Sequence, residues 1–430
     1  MPHDCNDSRS PVCGPDRREF LQAGAGAMAT AAALGAAPMA LAQDAPAAKG
    51  DGKERAQVLP KRKLGKTGLE MTLLNMGTGA LRGDQTALDR LIRLSYSSGV
   101  RIFDTARGYG TEPGFRKWFE QAPDVRKEII LVTKDNPKAP KDMLAMADKR
   151  LAALGTDWID LFFIHGLGDE HSLDDALNFV KSQEFKETAE ALKKSGKVKF
   201  VGFSTHHRER AAIIQAAAEG GVVDAIMLQY TPWLEKDAPL NKALDAAHAK
   251  GIGLISMKQV AGFFPERPKI DVLKEVVKRT PTLAEKKLSP FQGLLHAIWT
   301  DERISGSCVS IKTTAQLIEN ADAARRYEPM KQAAIDELRD AALAFGPTMC
   351  ADCEGRCMAA AGAKAELGNI ARFVTYYEHH GMRSEARRQF AKLSDEARDW
   401  SSADLEAARA ACPNGLDFAS LMNKAERYLA

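Results

Sequence analysis

Through the middle of the chain, short, mainly apolar runs alternate with longer stretches in which apolar residues recur every three or four positions. The runs are MTLLNMG from Met71, RIFDT from Arg101, IILVTK from Ile129, IDLFFIH from Ile159, KFVGFST from Lys199, AIMLQY from Ala225, GLISMK from Gly253 and SGSCVSI from Ser305. A strand apolar on both faces must be covered on both. Such runs, separated by the helical patterns of TALDRLIRLSYSSG, KDMLAMADKRLAALG and NKALDAAHAKG, therefore predict parallel pairing with right-handed crossovers. Eight repeats of that unit fit a closed (β/α)8 TIM barrel better than an open sheet. The segment KRKLGKTGLE predicts a hairpin capping the barrel bottom, and Phe263 to Pro290, rich in Pro and Lys, predicts a long loop plus a helix over the mouth. From Tyr327 the strand signal stops and only helical patterns remain, among them AAIDELRDAALAFG, IARFVTYYEHHG and ADLEAARAA. The expected organisation is a leader over 1–42, a linker over 43–60, the barrel over 61–326 and a small all-α domain over 327–430.

The leader is read from Arg17 and Arg18, which open the string RREFLQ, and from the Ala/Gly-rich stretch Ala23 to Ala42 that ends small-x-small. It resembles a twin-arginine signal cleaved before Gln43, which implies the twin-arginine export machinery as a partner and a periplasmic location. Ala and Gly contribute little transfer energy, so no stable membrane span is expected. Gly24, Gly26 and Ala29 imitate a dinucleotide fingerprint, but no strand precedes them. With 60 Lys and Arg against 57 Asp and Glu, the formal charge of +3 gives no sustained positive field, which excludes nucleic acid as a partner.

In a barrel of this kind the chemistry lies where the strands end. Asp104 and Tyr109 in FDTARGYG, Lys134 closing IILVTK and His165 closing IDLFFIH all fall there. Reducing a carbonyl needs a proton donor beside the oxygen that becomes negative. A phenol serves if a nearby cation lowers its pKa from about 10, and Lys134 is placed to do that, with Asp104 holding Lys134 and His165 orienting the substrate oxygen. The quartet, an Asp followed five residues later by Tyr and then Lys and His on the next two strands, resembles the aldo/keto reductase family. Further matches, RKLGKTGLE, IDLFFIHG, GKVKFVGFST and QLIEN, extend the resemblance from Lys63 to Asn320.

The resemblance implies reversible, nicotinamide-dependent reduction of a small-molecule carbonyl substrate, with NADP or NAD bound without a Rossmann fold. It places Tyr230 against the nicotinamide ring, Lys312 on phosphate, and Glu319 and Asn320 on the adenine side. Gln316 stands where many NADP-specific members carry an Arg that grips the 2′-phosphate, and Gln cannot make that bidentate contact. Lys258, closing the seventh run, and His206 and His207, after the fifth, read as solvated or pairing side chains. Cys308 reads as a small buried residue.

Cys350, Cys353 and Cys357 in CADCEGRC, with the distant Cys412-Pro413, converge as thiolates on one metal. Aldo/keto reductases with ferredoxin-like C-terminal domains resemble this arrangement. Reading the two-cluster ferredoxin spacing onto the chain puts Ala361, Ser402, Leu405 and Ala408 where one cluster's ligands belong and Cys350, Cys353, Cys357 and Cys412 where the other's do. The resulting expectation is a single 4Fe-4S cluster, structural or passing electrons to a redox partner protein. A zinc with four thiolates and two disulfides are the rival readings. The expected function is an NAD(P)-dependent oxidoreductase with Tyr109 as general acid/base. The alternative is a catalytically silent electron-transfer or assembly protein using the barrel as scaffold.

Overall fold

The computed structural model describes residues 57–430 apart from 170, 235, 261–269, 345–352, 354 and 379–381. The expected leader and most of the linker lie outside these residues. After the antiparallel hairpin β1 (Lys61–Lys63) and β2 (Glu70–Thr72), eight strands follow: β3 (Leu74–Gly77), β4 (Ile102–Asp104), β5 (Ile130–Asp135), β6 (Ile159–Ile164), β7 (Val198–Thr205), β8 (Ala225–Gln229), β9 (Gly253–Met257) and β10 (Ile304–Ser310). They pair in parallel in chain order, and β10 closes on β3. Each apolar run is thus a barrel strand. The first, MTLLNMG, is split between the hairpin and β3.

Side-chain alternation sorts each strand into two cores. Ile102, Val132, Leu161, Phe163, Ala225, Met227 and Ile255 fill the barrel interior. Phe103, Leu131, Phe162, Ile226, Leu228 and Leu254 face the helices instead. The hairpin closes the bottom, as its sequence predicts: Leu64, fully buried, packs in the interior core beside Gly253. Leu59 is only 2% exposed and its N–H donates to the Gly99 carbonyl, so the end of the expected linker already belongs to the barrel.

Two boundaries differ from the sequence reading. Of the segment expected over the mouth, residues 263–269 lie outside the described residues, and the rest forms the helices Ile270–Arg279 and Pro281–Lys286, whose Val276 and Leu283 are buried in the outer strand–helix core. The helix Gln332–Leu343, expected in the second domain, buries Ile335 and Leu338 in that same core. Its amphipathic face finds the barrel first, so the second core begins later, with Cys357, Ile370, Phe373, Val374, Phe390, Phe418 and Met422. The short helices Arg356–Ala361 and Leu405–Ala411 pack together in it, and the helix Leu367–Glu378 lies against Phe418–Tyr428. Among the described residues no helix is long and apolar enough to cross a membrane.

The bottom plug rests on Gly65, whose φ of 49° and absent Cβ let the backbone approach the Gly251 carbonyl, which a Cβ would meet at 2.2 Å. Because both sides of that clash are backbone, Gly65→Ala is expected to destabilise the fold by about 2–4 kcal/mol in urea unfolding, a size reserved for strain and core damage.

Candidate active site

Strand phase decides which side chains reach the interior. Ile102 points inward and Phe103 outward, so Asp104 is inward. Val132 and Lys134 share the inner face of β5, and Phe163 and His165 share that of β6. Three neighbouring strands therefore deliver a carboxylate, an ammonium and an imidazole to one rim. Lys134 Nζ donates to Asp104 Oδ1 and, at 3.0 Å, to the Thr105 carbonyl, with Lys134 only 1% exposed. Burial alone would lower the Lys134 pKa, but Asp104 and Tyr109 outweigh it and raise it, so the ammonium stays charged.

Tyr109 sits in the one-turn helix Arg107–Tyr109, closed by Gly110 in the left-handed region. Threonines fix that loop. Thr78 Oγ1 donates to the Asp104 carbonyl at 2.8 Å, and Thr111 Oγ1 lies 2.9 Å from Thr78 Oγ1 and 2.7 Å from Thr105 Oγ1. The phenol lies 3.5 Å from His165 Nε2, and its ring centroid is 5.2 Å from Lys134 Nζ. The guanidinium of Arg82 covers the ring at 5.0 Å. One expectation is corrected here. Burial pushes the Tyr109 pKa above its ordinary 10, and the opposing charge of Lys134 does not cancel it. The phenol is held protonated, as a donor. Cys308 is buried as expected, with its thiol against Asp104.

The expected cofactor residues are more scattered. Tyr230 follows the outward phase of Ile226 and Leu228, is 4% exposed in the outer core, and donates its hydroxyl to Asp301 at 2.7 Å. It faces the helices rather than the ring site, a correction caused by strand phase. The inward, buried residue at this strand end is its neighbour Gln229. Lys312 and Gln316 flank the start of the helix Thr314–Arg325, where the Gln316 side chain accepts from the Lys312 and Thr313 N–H groups and completes a capping box with Thr313. Gln316 thus serves the helix start. Glu319 accepts from the Ser289 hydroxyl, and Asn320 is buried.

Residues that read as solvated or went unremarked are drawn to the mouth. The helix Leu367–Glu378 sends Tyr376 to within 2.5 Å of Lys258 Nζ, and Arg372 to within 2.6 Å of His206 Nδ1. His206 Nε2 in turn lies 3.0 Å from Asp169. No pattern in the sequence marked the contacts of Tyr376 and Arg372, because their partners lie 118 and 166 residues away.

Of the four cysteines expected at a metal, Cys350 lies outside the described residues. Cys353, Cys357 and Cys412 are free thiols. Burial raises the Cys357 pKa to about 11, and the Cys353 and Cys412 sulfurs are near enough to add to the shift. Main-chain N–H groups point at the sulfurs, from Arg356 and Gly355 to Cys353 and from Met358 to Cys357. Among the described residues no three His, Cys, Asp or Glu side chains are arranged to hold a metal.

Burial, reinforced by the charges of Lys134, Arg82 and Lys258, lowers the His165 pKa to about 3. The imidazole is neutral at pH 7. The unfolded chain takes up this proton near 6.5 while the folded chain resists it until about 3, so His165 is expected to make stability fall as pH drops through that window. Tm measured from pH 7 to pH 3 should decline less steeply in His165→Gln than in the wild type.

Residues 73–340 match the Aldo/keto reductase family. Among similar proteins, the uncharacterized oxidoreductase YrpG of Bacillus subtilis (strain 168) is 28% identical over 46% of this chain and 66% of its own length. L-glyceraldehyde 3-phosphate reductase of Escherichia coli (strain K12) is 26% identical over 48% and 63%. NAD(P)H-dependent D-xylose reductase I,II of Candida tropicalis is 25% identical over 55% and 79%. The chain thus spans just under two thirds of the first two relatives. The solved aldo-keto reductase AKR11C1 from Bacillus halodurans shares the fold, with a TM-score of 0.54 and 22% identity over 66% of this chain and 96% of that one. With the match covering more than half of the sequence, the chain belongs to the aldo/keto reductase family.

Proposed function

We propose that the protein reduces an aldehyde or ketone, reversibly, with NADPH or NADH, and that Tyr109 supplies the proton. The observation that carries this reading is the buried Lys134–Asp104 pair beneath a protonated phenol. The nicotinamide, when bound, supplies a hydride to the carbonyl carbon. Negative charge then gathers on the carbonyl oxygen. Tyr109 donates its proton there, which remains downhill despite the raised phenol pKa because an alkoxide is a base of about the strength of hydroxide, whose parent water has a pKa of about 15.7. Lys134 stabilises the phenolate left behind, and Asp104 keeps the ammonium in place. Neutral His165, at hydrogen-bond reach of Tyr109, orients the substrate oxygen. A silent scaffold has no use for an ion pair buried at this cost, so the enzymatic reading is preferred.

Lys312, Glu319 and Asn320 suit the phosphate and adenine end of the cofactor, and inward-facing Gln229 suits its carboxamide. Gln316, occupied in the cap, offers no clamp for a 2′-phosphate, which favours acceptance of both NADPH and NADH. Tyr109→Phe should fold normally and lose about 100- to 10,000-fold in kcat for carbonyl reduction, the usual contribution of a positioned general acid. Unchanged turnover by purified Tyr109→Phe would sink the assignment.

The same proposal gives Cys350, Cys353, Cys357 and Cys412 one 4Fe-4S cluster. N–H groups aimed at two sulfurs suit thiolate ligands, since such donors stabilise anionic sulfur. At the positions of a second cluster, Ala361 and Ala408 are 4% and 0% exposed and pack into the domain core, which leaves apolar filling where ligands would stand. A single centre, structural or passing electrons to a partner protein, follows. We place the enzyme in the periplasm, exported by the twin-arginine route with its cofactors already loaded, on the strength of Arg17 and Arg18 and the stretch that follows them. Protein purified without oxygen should contain about four iron and four sulfide per chain and lose both in Cys357→Ser. Zinc in their place would support the tetrahedral alternative.

A further inference from the structure

We propose that Arg82 and Lys258 bind an anionic group, carboxylate or phosphate, carried by the carbonyl substrate at its end remote from the reacting carbon, and that Tyr376 of the helical domain positions Lys258. The inference rests on the reading of Tyr109 as the proton donor.

Three observations carry it. First, the two cations flank the reacting groups. The Arg82 guanidinium lies on the Tyr109 ring, and Lys258 follows the end of β9 on the rim that also holds His165, close enough that both charges act on that imidazole. Among the described residues no carboxylate pairs with either. Asp104 is taken by Lys134, and Asp169 by His206. Cations held near a partly dry site without a counter-ion are a recognition device for an incoming anion.

Second, Lys258 has a φ of 55°, one of only two non-glycine residues with positive φ among those described. A lysine gains nothing locally from that conformation, which costs roughly 1 kcal/mol or more and clusters at functional sites. By strand alternation the residue after Met257 would point outward among the helices. The left-handed turn redirects it.

Third, what it turns towards is built by a part of the chain outside the family match. Tyr376, 6% exposed, takes the ammonium at its hydroxyl, and Arg372 packs 5.7 Å from the same ring while bonding His206. His206 continues the ring of contacts to Asp169, whose carboxylate lies against Gly166, next to His165. The helix Leu367–Glu378 therefore forms a wall of the mouth and fixes the Lys258 amine. Lys258 and Arg82, the more accessible members, are left to meet the ligand.

The test compares 4-carboxybenzaldehyde with 4-nitrobenzaldehyde, and glyceraldehyde 3-phosphate with glyceraldehyde, on the full-length holoprotein. The wild type should prefer the charged member of one or both pairs, and which pair responds separates carboxylate from phosphate. Lys258→Met and Arg82→Met should each shrink that preference about tenfold or more through KM, the size of one charge-assisted bond. Tyr376→Phe should shrink it several-fold with kcat retained. Should Lys258→Met not fold, exposed Arg82 still decides the matter. Equilibrium titration of the same aldehydes, read by calorimetry, tests the inference apart from turnover. Tighter binding of the charged aldehyde without reduction of either would overturn the proposed reaction and leave the anion site standing. Equal binding of charged and neutral aldehydes would overturn the anion site. Loss of NADPH affinity in Lys258→Met, with selectivity unchanged, would also overturn it, by assigning the cation to the cofactor's diphosphate.

Discussion

The chemistry at the barrel rim depends on one buried ion pair. Lys134 and Asp104 arise on adjacent strands, both on the inward phase, and neither has water to fall back on. Removing either partner from such a pair leaves an uncompensated buried charge, at a cost of about 3–5 kcal/mol. The pair therefore demands that β4 and β5 keep register, Ile102 opposite Ile130 and Asp104 opposite Val132, and the threonine bonds around the Tyr109 loop preserve the placement above it. Fold and site share this constraint: a one-residue slip would turn the carboxylate into the apolar layer among the helices.

Burial at the rim sets the protonation states, and it does so against the simplest electrostatic expectation. A lysine beside a phenol lowers its pKa in water. Here desolvation outweighs the lysine, and Tyr109 is kept as a neutral acid. His165 responds in the opposite direction to the same dryness, reinforced by surrounding cations, and is kept as a neutral base. The result is a protonated phenol and an uncharged imidazole next to one fixed positive charge, an arrangement suited to an oxygen that becomes negative.

The helical domain is more than an appendage. Its core is its own, built from Phe373, Val374, Tyr376, Phe390 and Phe418, yet the Tyr376 hydroxyl and the Arg372 guanidinium of the helix Leu367–Glu378 reach Lys258 and His206 at the barrel mouth. Cys357 belongs to the same core as that helix.

The barrel was legible in the sequence because its strands are apolar on both faces, a pattern that local composition alone creates. The quartet was legible because each member stands at or just after a strand end, in a fixed order. What resisted was everything decided by phase and by distant partners. Tyr230 and Gln229 differ by one residue and therefore by a face. The helix Leu367–Glu378 contributes Tyr376 and Arg372 to the mouth, while Val276 and Leu283, in the described part of the segment after β9, found apolar neighbours in the outer core. Lys258 looked like any lysine until a tyrosine 118 residues away closed on it. Sequence determined the elements and the residues able to do the chemistry, since these follow from periodicity and side-chain type. Tertiary structure alone decided which groups meet and how they are charged, since desolvation and contact depend on residues brought together from opposite ends of the chain.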